Sequence, residues 1–402
     1  MARLIFVNRF FAPDHSATSQ LLTDLSRYLA QQGQTVHIIT SRQRYEGGAP
    51  LVAYEQVDGV EVHRVFGFRF GRRHLLGRGL DYLSFYLFAA WKLLWLAGRH
   101  DCVVAKTDPP LISVIVTLVS FLKGFRVINW VQDLFPEVAV YLLPKLPWSG
   151  LQTPLQWIRN ASLKHAYSNV VISKAMKQRL QQEGVASSKL HLIYNWSITP
   201  VIDVADDQPN PYREQWALEH RFVLAYSGNM GRAHLFDALA EVVEKTAGQT
   251  RIQWLFIGGG PKREALFQRL SDLQGDTVQF QPYQSQENLN QTLKVADLHL
   301  VSLTPEMEGL IFPSKLCGIL QAGRGVIFIG DPKSEMAQLI LAYQCGLVFH
   351  PNDAENLYRA VVELSQDIDL CEEMGRRALV LSQELFAREE MLKTWESLIS
   401  IK

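Results

Sequence analysis

The sequence predicts an α/β protein made of two doubly wound, Rossmann-like domains. Three observations carry that expectation. Short apolar runs alternate with helical patterns along the chain, as βαβ units require. A break rich in Pro and Asp interrupts the alternation near 199–212, and a second alternating series then begins. At 402 residues the chain is also longer than one ordinary core accommodates.

In the first half, Leu4–Val7 reads as a strand and Gln20–Gln31 as a helix with Leu21, Leu22, Leu25 and Leu29 on its inner face. Further strands are expected at Val36–Thr40, Val60–Val65, Cys102–Ala105, Arg126–Val131 and Asn169–Ile172. Short buried strands separated by helices pair in parallel, and right-handed crossovers make the domain doubly wound. The second series runs through Phe222–Tyr226, Trp254–Ile257, Val278–Phe280, Leu298–Leu303, Val326–Ile329 and Leu347–Phe349. An amphipathic helix over Ala387–Ile399 closes the chain. The expected domains are 1–200 and 201–385, with 386–402 returning to the first. Ligands of such folds bind at the carboxyl ends of the strands, so a cleft between the two sheets is expected.

Composition narrows the function. Lys+Arg and Asp+Glu balance at 40 each, so global charge does not point to nucleic acid. The four cysteines, Cys102, Cys317, Cys345 and Cys371, have no metal or redox spacing and read as reduced thiols. The N-terminus reads as a strand and not as a signal peptide. No apolar run reaches the roughly 20 residues of a spanning helix. A Walker loop, a catalytic Cys/His pair and a metal-ligand spacing are absent from the sequence, and Asp367-Ile368-Asp369 reads as a solvated turn.

The chemistry-bearing segments follow strands. After Leu298–Leu303 comes Glu308-Gly309-Leu310-Ile311-Phe312-Pro313-Ser314-Lys315, with a helix directly behind. A lysine beside a helix N-terminus suits a phosphate. Tyr226-Ser227-Gly228-Asn229-Met230-Gly231-Arg232 follows the first strand of the second domain. Its glycines allow close backbone approach, and Arg232, placed where a helix begins, offers a fork of donors for phosphate. Gly258-Gly259-Gly260 lacks dinucleotide-fingerprint spacing, so it either packs against a ligand phosphate or only turns the chain. Tyr283 either flanks a base or marks a strand exit.

In the first domain, Asp133 and Glu137 end a buried strand. They either orient sugar hydroxyls and act as a base, or form a helix entry with Asp133 as cap. His15 and Ser16 lie in the loop after the first strand, where His15 is either a ligand contact or a solvated side chain. The stretch 66–97 interleaves Arg69, Arg72, Arg73, His74, Arg78 and Lys92 with Phe66, Phe68, Phe70, Trp91 and Trp95, a pattern that suits either an anionic membrane surface or a crossover helix buried against the sheet. The apolar run Leu111–Leu122 reads as a buried crossover helix.

In order along the chain, the Asn8–Ser16 loop, Asp133-Leu134-Phe135-Pro136-Glu137, Val171-Ile172-Ser173-Lys174, Asn195-Trp196, Ser227–Arg232, Pro313-Ser314-Lys315 and Ala322-Gly323-Arg324 resemble the retaining family 4 glycosyltransferases of the GT-B fold. The resemblance runs nearly end to end. It is strongest to bacterial exopolysaccharide and O-antigen enzymes, the colanic-acid and aminosugar transferases among them. It implies a GT-B fold and a metal-independent hexosyl transfer from a nucleotide-diphosphate sugar, UDP- or GDP-linked. It also implies a lipid-linked or glycan acceptor, no cofactor beyond that co-substrate, no nucleic-acid partner, and a peripheral place on the cytoplasmic membrane face. Donor residues would be Gly228, Asn229, Gly231, Arg232, Gly259, Tyr283, Glu308, Pro313, Ser314 and Lys315. Acceptor-side residues would be His15, Ser16, Asp133 and Glu137, with Asp133, Arg232 and Lys315 catalytic. The sequence departs from the family at two points. The second acid of its Glu-x7-Glu motif is replaced in the region of Leu316 and Gly318, which leaves Glu306 a rival to Glu308, and Gln132 stands where many relatives carry His. Those departures motivate a degenerate, non-catalytic assembly subunit as one alternative, and a sugar-nucleotide epimerase of the same architecture is another.

Overall fold

The computed structural model describes residues 2–45, 47–70, 75–144, 148–198 and 210–400. Two compact units emerge. One comprises Met1–Tyr194, Gly309–Phe312 and Glu389–Lys402; the other comprises Asn195–Glu308 and Pro313–Arg388. Arg72, Arg73, His74 and most of the expected break, 199–209, lie outside the described residues. The break ends sooner than the sequence suggested. Asn210 accepts a hydrogen bond from the Tyr212 N–H at 2.9 Å and starts a helix at Pro211, where proline suits the first helical position.

The first unit carries eight strands: β1 (Leu4–Val7), β2 (Val36–Ser41), β3 (Tyr54–Val57), β4 (Val60–Val65), β5 (Cys102–Lys106), β6 (Arg126–Val131), β7 (Ser168–Val171) and β8 (Leu190–Leu192). Their order is β3-β4-β2-β1-β5-β6-β7-β8. All pairings are parallel except β3 with β4. That hairpin turns on Asp58 and Gly59, both at positive φ, the conformation a two-residue primed turn requires. The helix Arg388–Ser400 belongs to this unit from Glu389 onward. Trp395 packs on Trp130 with ring centroids 4.7 Å apart, and the Tyr28 hydroxyl donates to Glu396 at 2.8 Å.

The second unit is a parallel sheet of β9 (Phe222–Ser227), β10 (Ile252–Ile257), β11 (Val278–Gln281), β12 (Leu298–Ser302), β13 (Gly325–Ile329) and β14 (Gly346–Phe349). The order is β11-β10-β9-β12-β13-β14. Strands β9, β10, β12 and β13 are buried along their whole length, which explains their continuous apolar reading.

The helix Leu75–Leu96 has two apolar faces. Phe85, Ala89 and Leu93 recur every four residues and pack against the sheet. On the outside, Leu83, Leu87, Trp91 and Trp95 are exposed, Trp95 by 74%. The helix Ile112–Lys123 buries Ile112, Val116 and Val119 as expected. The expectation of full burial fails at its end, where Leu118, Phe121 and Leu122 are exposed. Among the described residues, no helix is long and apolar enough to cross a membrane.

Candidate active site

In the second unit the strand order turns between β9 and β12, so their carboxyl ends border a topological switch point. Lys315 is carried there by the loop that follows β12 and opens the helix Lys315–Gln321. Its Nζ lies 3.6 Å above the ring centroid of Tyr226 in β9. A Cβ placed on Gly228 would stand 3.8 Å from the same atom. The residue as a whole is half-buried, but Nζ is buried and has no hydrogen-bond partner. Burial pushes this ammonium well below its ordinary pKa. The Tyr226 ring offers partial compensation through its electron-rich face. An anion would supply the rest.

His234 belongs to the same pocket, although the sequence reading gave it no role. Its Nδ1–H donates to the carbonyl of Ser302, since a carbonyl only accepts. Burial, and then the charge of Lys315, push its imidazole down to about 3. A neutral His234 therefore adds no competing charge beside Lys315.

The three glycines after β10 lie in close contact with neighbouring main chain and with Tyr283. Gly258 and Gly260 sit at φ of +125° and +128°. A Cβ on Gly258 would stand 2.3 Å from the Gly228 carbonyl, and one on Gly260 2.8 Å from Met230 N. The Met230 N–H donates to the Gly259 carbonyl at 2.6 Å. Close backbone contact thus fixes the loop beneath Lys315. Tyr283 lies over Gly258 and Gly259 and remains 56% exposed, an aromatic platform held on one side by backbone.

Glu308 is half-buried, and its Oε1 accepts the N–H of Glu335 at 2.9 Å, the first residue of the helix Glu335–Ala342. Burial raises its carboxyl above the ordinary range. Its rival Glu306 is exposed in the turn Pro305–Met307. Pro313 is buried, while Ser314 is exposed just ahead of Lys315. Asn229 is exposed and Gly231 half-buried. Arg232 corrects the sequence reading. It lies on an exposed turn, and the helix begins only at Asp237.

In the first unit, β1 and β5 flank the corresponding switch point. Lys106, at the end of β5, escaped the sequence reading because a lysine closing a strand looks like a surface residue. It is fully buried, donates to the Thr18 carbonyl at 2.9 Å and stands 3.5 Å over the Trp130 ring. Burial holds its ammonium well below the ordinary value, with Asp108 opposing that shift. Asp108 accepts from the Thr18 hydroxyl at 3.3 Å. Asp133 follows β6. It keeps a solvent-accessible face yet is set deep among protein atoms, and this desolvation, with the charge of Asp108, raises its carboxyl to about 6.

Asp133 does not cap a helix. The helix Glu137–Leu142 is preceded by Pro136 at its cap position, with no side-chain cap bond. Glu137 is engaged inside the unit. It is buried and binds Arg159 at 2.8 Å and Gln156 at 2.9 Å, and Arg159 also reaches Glu183 at 2.6 Å. Ser16 caps the helix Ala17–Gln31 by accepting from the Ser19 N–H, and His15 is exposed beside it. Asp367 is the cap of the helix Ile368–Leu385. The sequence spacing showed no metal-ligand cluster, but the fold brings His37, Glu61 and His63 together on β2 and β4.

Two family models match the chain: a glycosyl transferase 4-like domain over residues 18–196 and glycosyl transferases group 1 over residues 221–367. The chain is 25% identical to the Escherichia coli K12 protein named "Putative colanic acid biosynthesis glycosyl transferase WcaI", over 82% of this chain and 83% of that one. It is 23% identical to the Pseudomonas aeruginosa "Probable glycosyltransferase WbjE", over 95% and 94%. Among solved structures, sucrose-phosphate synthase of Thermosynechococcus elongatus superposes with a TM-score of 0.76 at 16% identity, over 99% of this chain and 98% of that one. HepE of Anabaena in complex with UDP-glucose gives 0.73 at 14%, over the full length of both.

Two substitutions separate the acids of the first unit. Because the folded pKa of Asp133 lies above its unfolded value, ionising it disfavours the fold. That penalty is absent below about pH 4 and complete above about pH 6. Asp133→Asn is therefore expected to gain thermal stability over wild type as pH rises through this window, and a constant offset would contradict the assignment. Glu137→Ala is expected to lose about 3 kcal/mol in denaturant unfolding, since it strips a partner from buried Arg159.

Proposed function

The chain belongs to the glycosyltransferases of the GT-B fold, and on that premise we propose that it moves a hexosyl group from a nucleotide-diphosphate sugar to a lipid-linked glycan, with retention of anomeric configuration. The product would enter cell-surface polysaccharide, a reading supported by the colanic acid relative. The likeness to HepE with UDP-glucose favours uridine over guanosine as the donor base. The buried, unpartnered ammonium of Lys315 at the β9–β12 switch point carries the proposal.

The chemistry follows from charge. The bond between the anomeric carbon and the donor phosphate oxygen breaks, and negative charge grows on the departing diphosphate. Lys315, already desolvated, is positioned to neutralise that charge, with Arg232 on its exposed turn as the second cation of the proposal; no metal is assigned to the step. The acceptor oxygen bonds to the anomeric carbon on the face the leaving group quits. Its proton passes to an oxygen of the leaving diphosphate. Tyr283 supplies a platform for the base, and Glu308 a carboxyl for the sugar. Asp133 holds the acceptor hydroxyls. Neither the epimerase nor the non-catalytic subunit gains a supporting observation.

The membrane surface is the second part of the proposal. Exposed Phe66, Phe68, Trp91 and Trp95, with exposed Arg69 and Arg78 nearby, suit an anionic lipid interface on the cytoplasmic side, where a lipid-linked acceptor would be met.

Titration calorimetry with UDP, GDP and ADP is expected to select one nucleotide and to lose it in Lys315→Ala. In a transfer assay the same variant should fall roughly a hundredfold in kcat, the usual cost of removing one such donor. Unchanged binding and turnover would overturn the assignment. For the surface, Trp91→Ser with Trp95→Ser is expected to abolish flotation with phosphatidylglycerol vesicles, and Arg78→Glu to weaken it by about fivefold or more. Equal flotation of all three proteins would contradict it.

A further inference from the structure

A second site lies in the first unit, where His37 and Glu61 sit near the amino-terminal ends of β2 and β4 and His63 lies in mid-strand. His37 and Glu61 are direct register partners across these parallel strands. His63 lies two residues beyond Glu61, so all three side chains share one face of the sheet. His37 Nδ1 and His63 Nε2 are 3.1 Å apart. Glu61 Oε2 is 3.2 Å from the first and 3.9 Å from the second. Both histidines are buried, and Glu61 is 37% exposed at its side chain.

A hydrogen on His37 Nδ1 can serve His63 Nε2 while half-exposed Glu61 turns to solvent, but it does not serve both partners at once. Nδ1 of His37 carries at most one hydrogen, yet a carboxylate oxygen and an imidazole nitrogen both converge on it. If the hydrogen serves Glu61, then His37 offers no lone pair to His63, and His63 lies too far from Glu61 for a hydrogen bond of its own. One divalent cation would take a lone pair from all three atoms at once. Ligands held about 2.0–2.2 Å from a tetrahedral zinc stand about 3.4 Å from one another. The three observed separations bracket that value.

We propose that His37, Glu61 and His63 form a binding site for a borderline divalent transition metal of the zinc type, with Glu61 as its solvent-facing ligand. Two imidazoles and one carboxylate suit such an ion and not magnesium, which prefers six oxygens. The bound ion would clip β2 to β4 next to the edge hairpin. Its place on β2 and β4, two strands over from Lys106 on β5, sets it apart from the proposed glycosyl transfer. The fourth coordination position is left to water or to an exchangeable ligand reaching the site past Glu61.

The test is titration of the full chain with Zn2+, and separately with Mg2+, after treatment with a chelator. One equivalent of Zn2+ should bind with a rise in Tm, and Mg2+ should not compete. Co2+ should give the ligand-field absorption of a four-coordinate nitrogen and oxygen site. Glu61→Gln, at a half-exposed position the fold tolerates, should lose at least the roughly tenfold in Zn2+ affinity that even an outer partner's removal brings. His37→Gln with His63→Gln should abolish the Co2+ spectrum. Absence of saturable Zn2+ binding by the folded wild-type chain would overturn the proposal. So would binding that survives in the double variant, which would place the ion on other histidines.

Discussion

The second unit is organised around one uncompensated charge. Lys315 holds an ammonium out of water, over the Tyr226 ring, with no hydrogen-bond partner. A buried cation of this kind is costly unless something meets it. Its surroundings are consistent with a phosphate as that partner. His234, pushed down to about 3, stays neutral beside it. The ammonium can then gain charge stabilisation only as the ligand's own charge arrives, which is the condition for favouring a departing diphosphate over a bound one.

That placement depends on backbone geometry more than on side chains. Gly228, Gly258 and Gly260 all adopt positive φ, and added Cβ atoms at the latter two would collide with the neighbouring loop. The loops after β9 and β10 are therefore packed main chain to main chain. Lys262 reinforces them by donating to the His234 carbonyl at 2.8 Å. The first unit solves a different problem. Lys106 is satisfied by Thr18 and Trp130, so its charge is structural, and Asp133 is left as the carboxyl whose protonation changes near neutrality.

Much of the fold was legible because buried parallel strands are apolar along their length. Strands β1, β2, β4 to β7 and β9 to β14 could be read from runs such as Trp254–Ile257. β3 was not, since Tyr54-Glu55-Gln56-Val57 is a largely polar edge strand, although the Asp58-Gly59 turn beside it signals a hairpin. In the candidate site, Lys315 and the glycine loops were visible as strand exits. Residues whose roles depend on distant partners were not. Glu137 looked available until Arg159, 22 positions away, closed on it. His37 and His63, 26 positions apart, meet only through strand register. Arg232 was placed at a helix start because the turn Gly231–His234 leaves no mark in residue spacing.

The central claim is that Lys315 takes its full charge from the ligand. Calorimetry of the preferred nucleoside diphosphate in two buffers of different ionisation enthalpy measures this directly, because a ligand that raises a depressed pKa takes up protons as it binds. The account predicts uptake of up to about one proton per nucleotide at alkaline pH, affinity that rises as pH falls, and loss of the linked proton in Lys315→Met. Binding with no buffer dependence, or an unchanged proton count in Lys315→Met, would contradict it.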